Sequence, residues 1–157
     1  MFTLRSTAFE DGGRIPFAYL STRCPGENRS IPCEWSGAPE GTQSFVLAIV
    51  DHAPVAREWV HWAVVDIPPD VTSLSEGASR TSAMPPGSRE LDNTGGSPGY
   101  GGPCPPPGTG DHPYEATVYA LSVPRLDIAR KVTANDLDRA LAGKVIAKAS
   151  LTGLYSR

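Results

Sequence analysis

The sequence lacks the features that mark membrane proteins and disulfide-rich secreted proteins. No apolar run approaches the roughly 18 residues of a transmembrane helix, and no charged segment followed by an apolar stretch indicates a signal peptide at the N-terminus. Only three cysteines occur, Cys24, Cys33 and Cys104, without a CxxC arrangement. We therefore expect a protein of the reducing cytoplasm with free thiols, and a Cys24–Cys33 disulfide is the less favoured alternative.

Positive charge is also scarce. The formal net charge is −3 and the Lys and Arg residues are scattered, whereas a nucleic-acid-binding protein presents a clearly basic face. Nucleic acid is therefore excluded as the main partner, and any anion site must be local. The sequence also has no Walker loop, no Rossmann fingerprint and no GxSxG elbow.

Glycine and proline are abundant, at 16 residues each. Both interrupt helices and strands, so they predict short strands, long loops and little helix. Apolar runs rich in β-branched residues predict extended segments at 44–50, 59–67, 114–121 and 145–154. One helix is predicted over 133–142, where Thr133 and Asp136 are spaced as a capping box. The predicted fold class is mainly β, a β-rich single domain over residues 1–157 with one or two peripheral helices.

The three histidines lie at strand ends or beside the long Pro/Gly loop: His52, His61 and His112. Since alternate residues of a strand share a face, His61 is expected to share one with Ala63, and His112 one with Tyr114. A polar group at the rim of an apolar face is where ligand pockets form. An alternative for His61 is a buried histidine bonded to a backbone carbonyl. His52 is expected to be a solvated turn residue.

Asp51 directly follows the first buried strand, where a carboxylate either orients an imidazole or caps a turn. Asp51 and two histidines could together perform general acid–base hydrolysis. The hydroxyl residues of the loop, Ser97 and Thr109, do not lie in a sequence motif typical of a catalytic nucleophile. Asp51 and the three histidines also make a set of metal ligands, at irregular spacing. We expect a binding protein without metal or cofactor, and hydrolysis and weak metal binding stay as alternatives.

The loop sequence GYGGPCPPPGTGDHPY, residues 99–114, is similar to a proline-rich signature of the phosphatidylethanolamine-binding proteins, Gly-Tyr-x-Gly-Pro-x-Pro-Pro-x-Gly-x-x-His-x-Tyr. Residues 24–51 resemble the N-terminal block of that family, 57–77 its His-Trp strand and following loop, and 151–155 its C-terminal strand. The blocks appear in the family's order. The similarity is greatest to the bacterial and archaeal branch often labelled Raf-kinase-inhibitor-like.

The resemblance implies a large antiparallel sheet packed on a smaller one, with a pocket near the sheet edge for phosphate-like or carboxylate anions. The residues at matching positions are Asp51, His61, Gly102, Pro103, Cys104, Pro105, Pro106, His112 and Tyr114. In this interpretation two imidazoles donate N–H groups to an anion, and a carboxylate fixes the tautomer of one of them. The resemblance also implies homodimers and, by analogy with eukaryotic relatives that bind phospholipid headgroups and modulate kinases, a protein partner.

One motif departs from the family pattern. The family usually has Asp-Pro-Asp-Ala-Pro after the first buried strand, whereas this chain has Asp51-His52-Ala53-Pro54. One carboxylate is missing, or His52 replaces it. The sequence therefore leaves the placement of Asp51 ambiguous.

Overall fold

The computed structural model describes residues 1–157 and contains two antiparallel sheets. The strands are β1 (Thr3–Arg5), β2 (Cys33–Ser36), β3 (Ser44–Asp51), β4 (Trp59–Ile67), β5 (Ser73–Leu74), β6 (Arg89–Glu90), β7 (His112–Leu121) and β8 (Val145–Tyr155). The small sheet has the order β1-β2-β5, and the large sheet the order β6-β4-β3-β7-β8. One α-helix, α1 (Ala134–Leu141), and short 3-10 helices at Phe17–Tyr19 and Pro54–Ala56 complete the secondary structure. The predicted fold class is confirmed.

The strands predicted from apolar runs all lie in the large sheet. β4 has the predicted bounds, β3 continues to Asp51, and β7 begins at His112. Because β3 and β7 are antiparallel neighbours, Asp51 pairs with Tyr114 across the sheet. These extensions place polar residues of separate chain segments at one end of the sheet.

Both faces of the large sheet are covered. One apolar cluster lies between the sheets and includes Phe45 and Leu47. A second cluster lies under α1 and includes Val46, Ala48 and Leu137. Successive β3 side chains therefore alternate between two cores, which explains why this strand is a continuous apolar run rather than an alternating one.

The helix α1 forms where the capping box predicts it. The Asp136 N–H donates to the Thr133 hydroxyl at 3.1 Å, and the Thr133 N–H donates to the Asp136 carboxylate at 3.0 Å. Leu137 and Leu141 pack against the large sheet. Gly143 follows with a φ of 76°, a left-handed conformation that favours glycine after a helix. None of the helices has the length and apolar character needed to cross a bilayer.

A disulfide joins Cys24 to Cys104, across a sequence separation of 80 residues. The expectation of free thiols is therefore wrong for this pair, and so is the Cys24–Cys33 alternative. Cys33 is a free thiol in the core, where burial raises its pKa to about 12. Since disulfides persist mainly in oxidising compartments, the cysteine count no longer supports a reducing compartment, and cytoplasmic location stays a prediction.

Candidate ligand-binding site

A pocket of about 890 Å³ lies at the end of the large sheet where β3, β4 and β7 meet. It is lined by four buried residues of those strands, Asp51, His61, His112 and Tyr114. The structure therefore brings together all the strand residues predicted for the site.

The proline-rich loop supplies one wall of this pocket. Of its predicted residues, the lining includes Gly102, Cys104, Pro105 and Pro106. Pro103 does not line the pocket; its carbonyl instead accepts a hydrogen bond from the Ser21 N–H at 3.0 Å. Pro103 therefore connects the loop to its neighbour rather than facing a ligand.

His61 reaches the pocket because β4 is irregular at this residue. Ile49 of β3 pairs with Trp62, but the next residue, Val50, pairs with Val60, so His61 is left without a partner between them. An extra residue of this kind is a β-bulge, which bends the strand and re-aims a side chain. Bulges are frequent beside functional sites, and this one directs His61 toward the pocket.

Because of this bulge, the prediction that His61 and Ala63 share a face of β4 is wrong. Ala63 packs in the cluster under α1, whereas the His61 ring lies edge-on to Tyr114 with ring centroids 5.1 Å apart. Tyr114 belongs to the cluster between the sheets, so His61 and Ala63 lie on opposite faces. On β7, which is regular at this end, the prediction is confirmed: the His112 ring stacks on Tyr114 at 6.2 Å.

One nitrogen of the His61 ring is bonded within the protein and the other is open. Nδ1 lies 2.8 Å from the Gly101 carbonyl, and because a carbonyl only accepts, Nδ1 must carry the proton in the neutral ring. Nε2 has no hydrogen-bond partner in the chain, yet it is not sealed from solvent, and the residue lines the pocket. The predicted hydrogen bond to a backbone carbonyl is therefore present at Nδ1, while Nε2 is open to the pocket.

The protonation state of His61 decides what its free nitrogen offers. Burial lowers the pKa of His61, and this effect outweighs the Gly101 hydrogen bond and the charge of Asp51, which both raise it. The neutral ring presents a lone pair to the pocket. The protonated ring presents an N–H donor instead.

Both nitrogens of the buried His112 ring are occupied. Nδ1 donates to the Asp51 carboxylate at 2.7 Å, and Nε2 lies 2.8 Å from the Thr109 hydroxyl. The other oxygen of Asp51 accepts from the Ala53 N–H at 2.9 Å. The expectation that both imidazoles donate to an anion is therefore corrected: His112 orients Asp51, and the free ring nitrogen belongs to His61.

His52 lies outside the pocket, as an exposed residue. Its Nδ1 lies 2.8 Å from Glu58 and its Nε2 lies 3.1 Å from Glu115. Asp51, rather than His52, therefore occupies the position in the pocket that pairs with His112. His52 therefore does not join Asp51, His61 and His112, and the chain has no group of three or more His, Cys, Asp or Glu arranged to hold a metal.

Asp51, His112 and Thr109 form a carboxylate–imidazole–hydroxyl chain, the order found in nucleophilic hydrolases. However, Thr109 is exposed outside the pocket, and its hydroxyl also bonds the Pro106 carbonyl at 2.8 Å. Ser97 lines the pocket, but neither histidine is bonded to its hydroxyl. The structure therefore places no activated nucleophile in the pocket.

Sequence reasoning missed several lining residues from irregular segments. They include Arg23, Asn28 and Arg80. Trp59, the first residue of β4, also lines the pocket; it is 40% exposed with its ring 6.4 Å from that of His61. No periodic signal marks residues of loops, so only the tertiary structure reveals them.

The segment around Ser21 and the proline-rich loop pack backbone to backbone beside the pocket. The Gly102 N–H donates to the Asn28 side chain at 2.7 Å. A Cβ at Gly102 would lie 2.5 Å from the Ser21 nitrogen and the Tyr19 oxygen, so only glycine fits here. The Cys24–Cys104 disulfide crosses the same junction.

These features define a class of protein with two packed antiparallel sheets, an Asp–His pair at the end of the larger sheet, and a pocket walled by proline and glycine. The family model for the phosphatidylethanolamine-binding proteins matches residues 5–156. The chain belongs to the phosphatidylethanolamine-binding protein family, and the predicted resemblance is confirmed.

Individual relatives support the assignment. A UPF0098 protein of Methanothermobacter thermautotrophicus is 40% identical over 154 residues, covering 98% of each chain. A UPF0098 protein of Aquifex aeolicus is 38% identical over 152 residues, covering 97% of this chain and 86% of the relative. The crystal structure of Escherichia coli YbcL, a member of the mammalian PEBP family, matches with a TM-score of 0.92 at 33% identity, covering 99% of this chain and 98% of YbcL.

Proposed function

We propose that this protein binds small oxyanions, such as phosphate, a phospholipid headgroup or a carboxylate, in the pocket around His61. The observation that carries the proposal is the free Nε2 of a buried imidazole whose other nitrogen is fixed by the Gly101 carbonyl. When protonated, this nitrogen donates a charge-assisted hydrogen bond, which is among the stronger kinds in proteins.

The charges around the pocket support an anionic ligand. Asp51 is the only carboxylate in the lining, and its oxygens are engaged by His112 and the Ala53 N–H. Arg23 and Arg80 contribute positive charge. The pocket is therefore locally cationic in a chain whose net charge is −3, and a charged cleft of this kind concentrates ligands of the opposite sign.

Anion binding is expected to weaken as the pH rises. Burial holds the pKa of His61 below the ordinary 6.5 in the free protein, and a bound anion would raise it by favouring the charged ring. Binding therefore takes up a proton. Affinity should be greatest below the pKa of the free protein and fall by up to about tenfold per pH unit, until the pH exceeds the pKa of the complex.

Isothermal titration calorimetry with sulfate tests this pH dependence, because the charge of sulfate is constant over the relevant range. Repeating the titration in buffers of different ionisation enthalpy should show net proton uptake. Inorganic phosphate, acetate and glycerophosphoethanolamine then distinguish a free anion from a lipid headgroup. Failure of all four to bind between about pH 5 and pH 8, where a histidine titrates, would contradict the proposal.

The family resemblance supports a homodimer and a protein partner, which light scattering and affinity capture would test. Hydrolysis is not proposed, because Thr109 lies outside the pocket. Metal binding is not proposed either, because His52 is held by Glu58 and Glu115 away from the other candidate ligands.

A further inference from the structure

We propose that Arg23 makes this pocket selective for doubly charged oxyanions, and that the Cys24–Cys104 disulfide holds Arg23 in place. The ligand class is then a phosphate monoester, inorganic phosphate or a sulfate-like dianion rather than a singly charged diester. This inference rests on the proposed anion binding and specifies which anions the same site prefers.

Arg23 is the cationic lining residue whose charged group has no partner within the chain. Its backbone N–H bonds the Ser21 hydroxyl at 3.2 Å, but its guanidinium makes no hydrogen bond or ion pair. Arg80, in contrast, donates to the carbonyls of Pro98 and Tyr100 at 2.7 and 3.0 Å. The planar fork of N–H donors on Arg23 is thus available for two-pronged binding of an oxyanion.

The backbone of Arg23 is fixed on both sides. Cys24, the next residue, is buried and covalently linked to Cys104, which itself lines the pocket. The N–H groups of Cys24 and Gly26 both donate to the Ser21 carbonyl, at 2.9 and 2.8 Å, and close a tight turn around Arg23. The backbone of Arg23 is therefore held beside the pocket, and its exposed, unpartnered side chain is free to reach a bound ligand.

Besides Arg80, whose guanidinium is bonded to loop carbonyls, two groups that line the pocket can meet the ligand with positive charge. One is the guanidinium of Arg23, and the other is the protonated ring of His61. Three residues of the neighbouring strands face His61: Asp51, His112 and Tyr114. Of these, only Asp51 carries a negative charge that would repel an anion, and its carboxylate already accepts a hydrogen bond from His112. Together with Arg80, these two positive charges at one cavity favour a dianion over a monoanion of similar shape.

The test compares sulfate with methyl sulfate, which has one negative charge fewer, by calorimetry at a pH where sulfate binds the wild-type protein. Arg23→Gln should weaken sulfate binding by at least about tenfold, the loss expected for a charged hydrogen bond. It should weaken methyl sulfate binding less, so the preference for the dianion collapses. The matched control is Arg5→Gln, which makes the same charge change on an exposed β1 residue outside the pocket and should leave both affinities unchanged.

The role of the disulfide is tested by repeating Arg23→Gln in a Cys24→Ser/Cys104→Ser background. Without the cross-link, sulfate binding should already be weaker, and Arg23→Gln should cost much less than in the oxidised protein. If the double serine variant does not fold, the same comparison is made between the wild-type and Arg23→Gln proteins reduced with dithiothreitol. Dithiothreitol supplies two electrons and two protons to the Cys24–Cys104 disulfide, which becomes two thiols, and is itself oxidised to a cyclic disulfide. Cys33→Ala, which keeps the disulfide, should bind like the wild type.

The possible failures can be told apart. If Arg23→Gln keeps wild-type sulfate affinity while His61→Asn loses it, this inference is overturned and the proposed function stands. If Arg23→Gln costs the same with and without the disulfide, the positioning role of the cross-link is overturned. If the wild-type protein binds neither sulfate nor methyl sulfate, this inference fails; the proposed function fails with it only if inorganic phosphate, acetate and glycerophosphoethanolamine also do not bind.

Discussion

Replacing His61 with asparagine is expected to weaken sulfate binding by about 10- to 150-fold while the protein stays folded. The shorter amide can still donate to the Gly101 carbonyl, as Nδ1 does at 2.8 Å, but it places no group at the position of Nε2. A hydrogen bond to a charged group contributes roughly 1.5–3 kcal/mol, which corresponds to that range of affinity. Calorimetric titration at a pH where the ring is protonated measures the loss.

Two further substitutions separate the roles of the ring. His61→Gln places a neutral amide near the position of Nε2, so intermediate affinity without the pH dependence is expected. His52→Asn removes an exposed imidazole that is bonded to Glu58 and Glu115 outside the pocket, and it should leave affinity unchanged. If His61→Asn binds sulfate as tightly as the wild type, His61 does not contact the anion.

Removing the Cys24–Cys104 disulfide is expected to lower the free energy of unfolding by about 4 kcal/mol. The cross-linked residues are separated by 80 positions in the sequence, and the entropy that a cross-link removes from the unfolded chain grows with the length of the loop it closes. Natural domains have a total stability of about 5–15 kcal/mol, so the loss is a large fraction. Urea unfolding of the Cys24→Ser/Cys104→Ser variant measures it.

The matched control is Cys33→Ala, which changes a buried thiol that takes no part in the disulfide. It should cost about 1 kcal/mol, as a small loss of core volume does. Wild-type protein unfolded under reducing conditions should behave like the double variant. A double variant with the urea midpoint of the oxidised wild type would show that the cross-link contributes nothing to stability.

The parts of the fold that depend on local pattern were predictable from the sequence. The β3 and β4 strands are continuous apolar runs because both faces of the large sheet are buried. The helix α1 is marked by the capping box of Thr133 and Asp136. In both cases the determining contacts lie within a few residues, so a short stretch of sequence contains the signal.

Features that depend on register or on distant loops were not predictable in this way. The face on which His61 lies is set by a bulge, which is a property of how β4 pairs with β3 and leaves no mark on β4 alone. The partner of Cys24 and the position of Arg23 depend on two loops that meet only in the folded chain. The family resemblance placed Asp51 and His112 in one pocket, but their direct hydrogen bond required the structure.

The most direct test is nitrogen NMR of the histidine rings near neutral pH, in protein labelled with ¹⁵N at histidine, with and without saturating sulfate. In the free protein, His61 should show a protonated Nδ1, bonded to the Gly101 carbonyl, and an unprotonated Nε2. With sulfate bound, both nitrogens should be protonated. A His61 ring whose Nε2 resonance is unchanged at saturating sulfate would contradict its role as the proton-dependent donor to the anion.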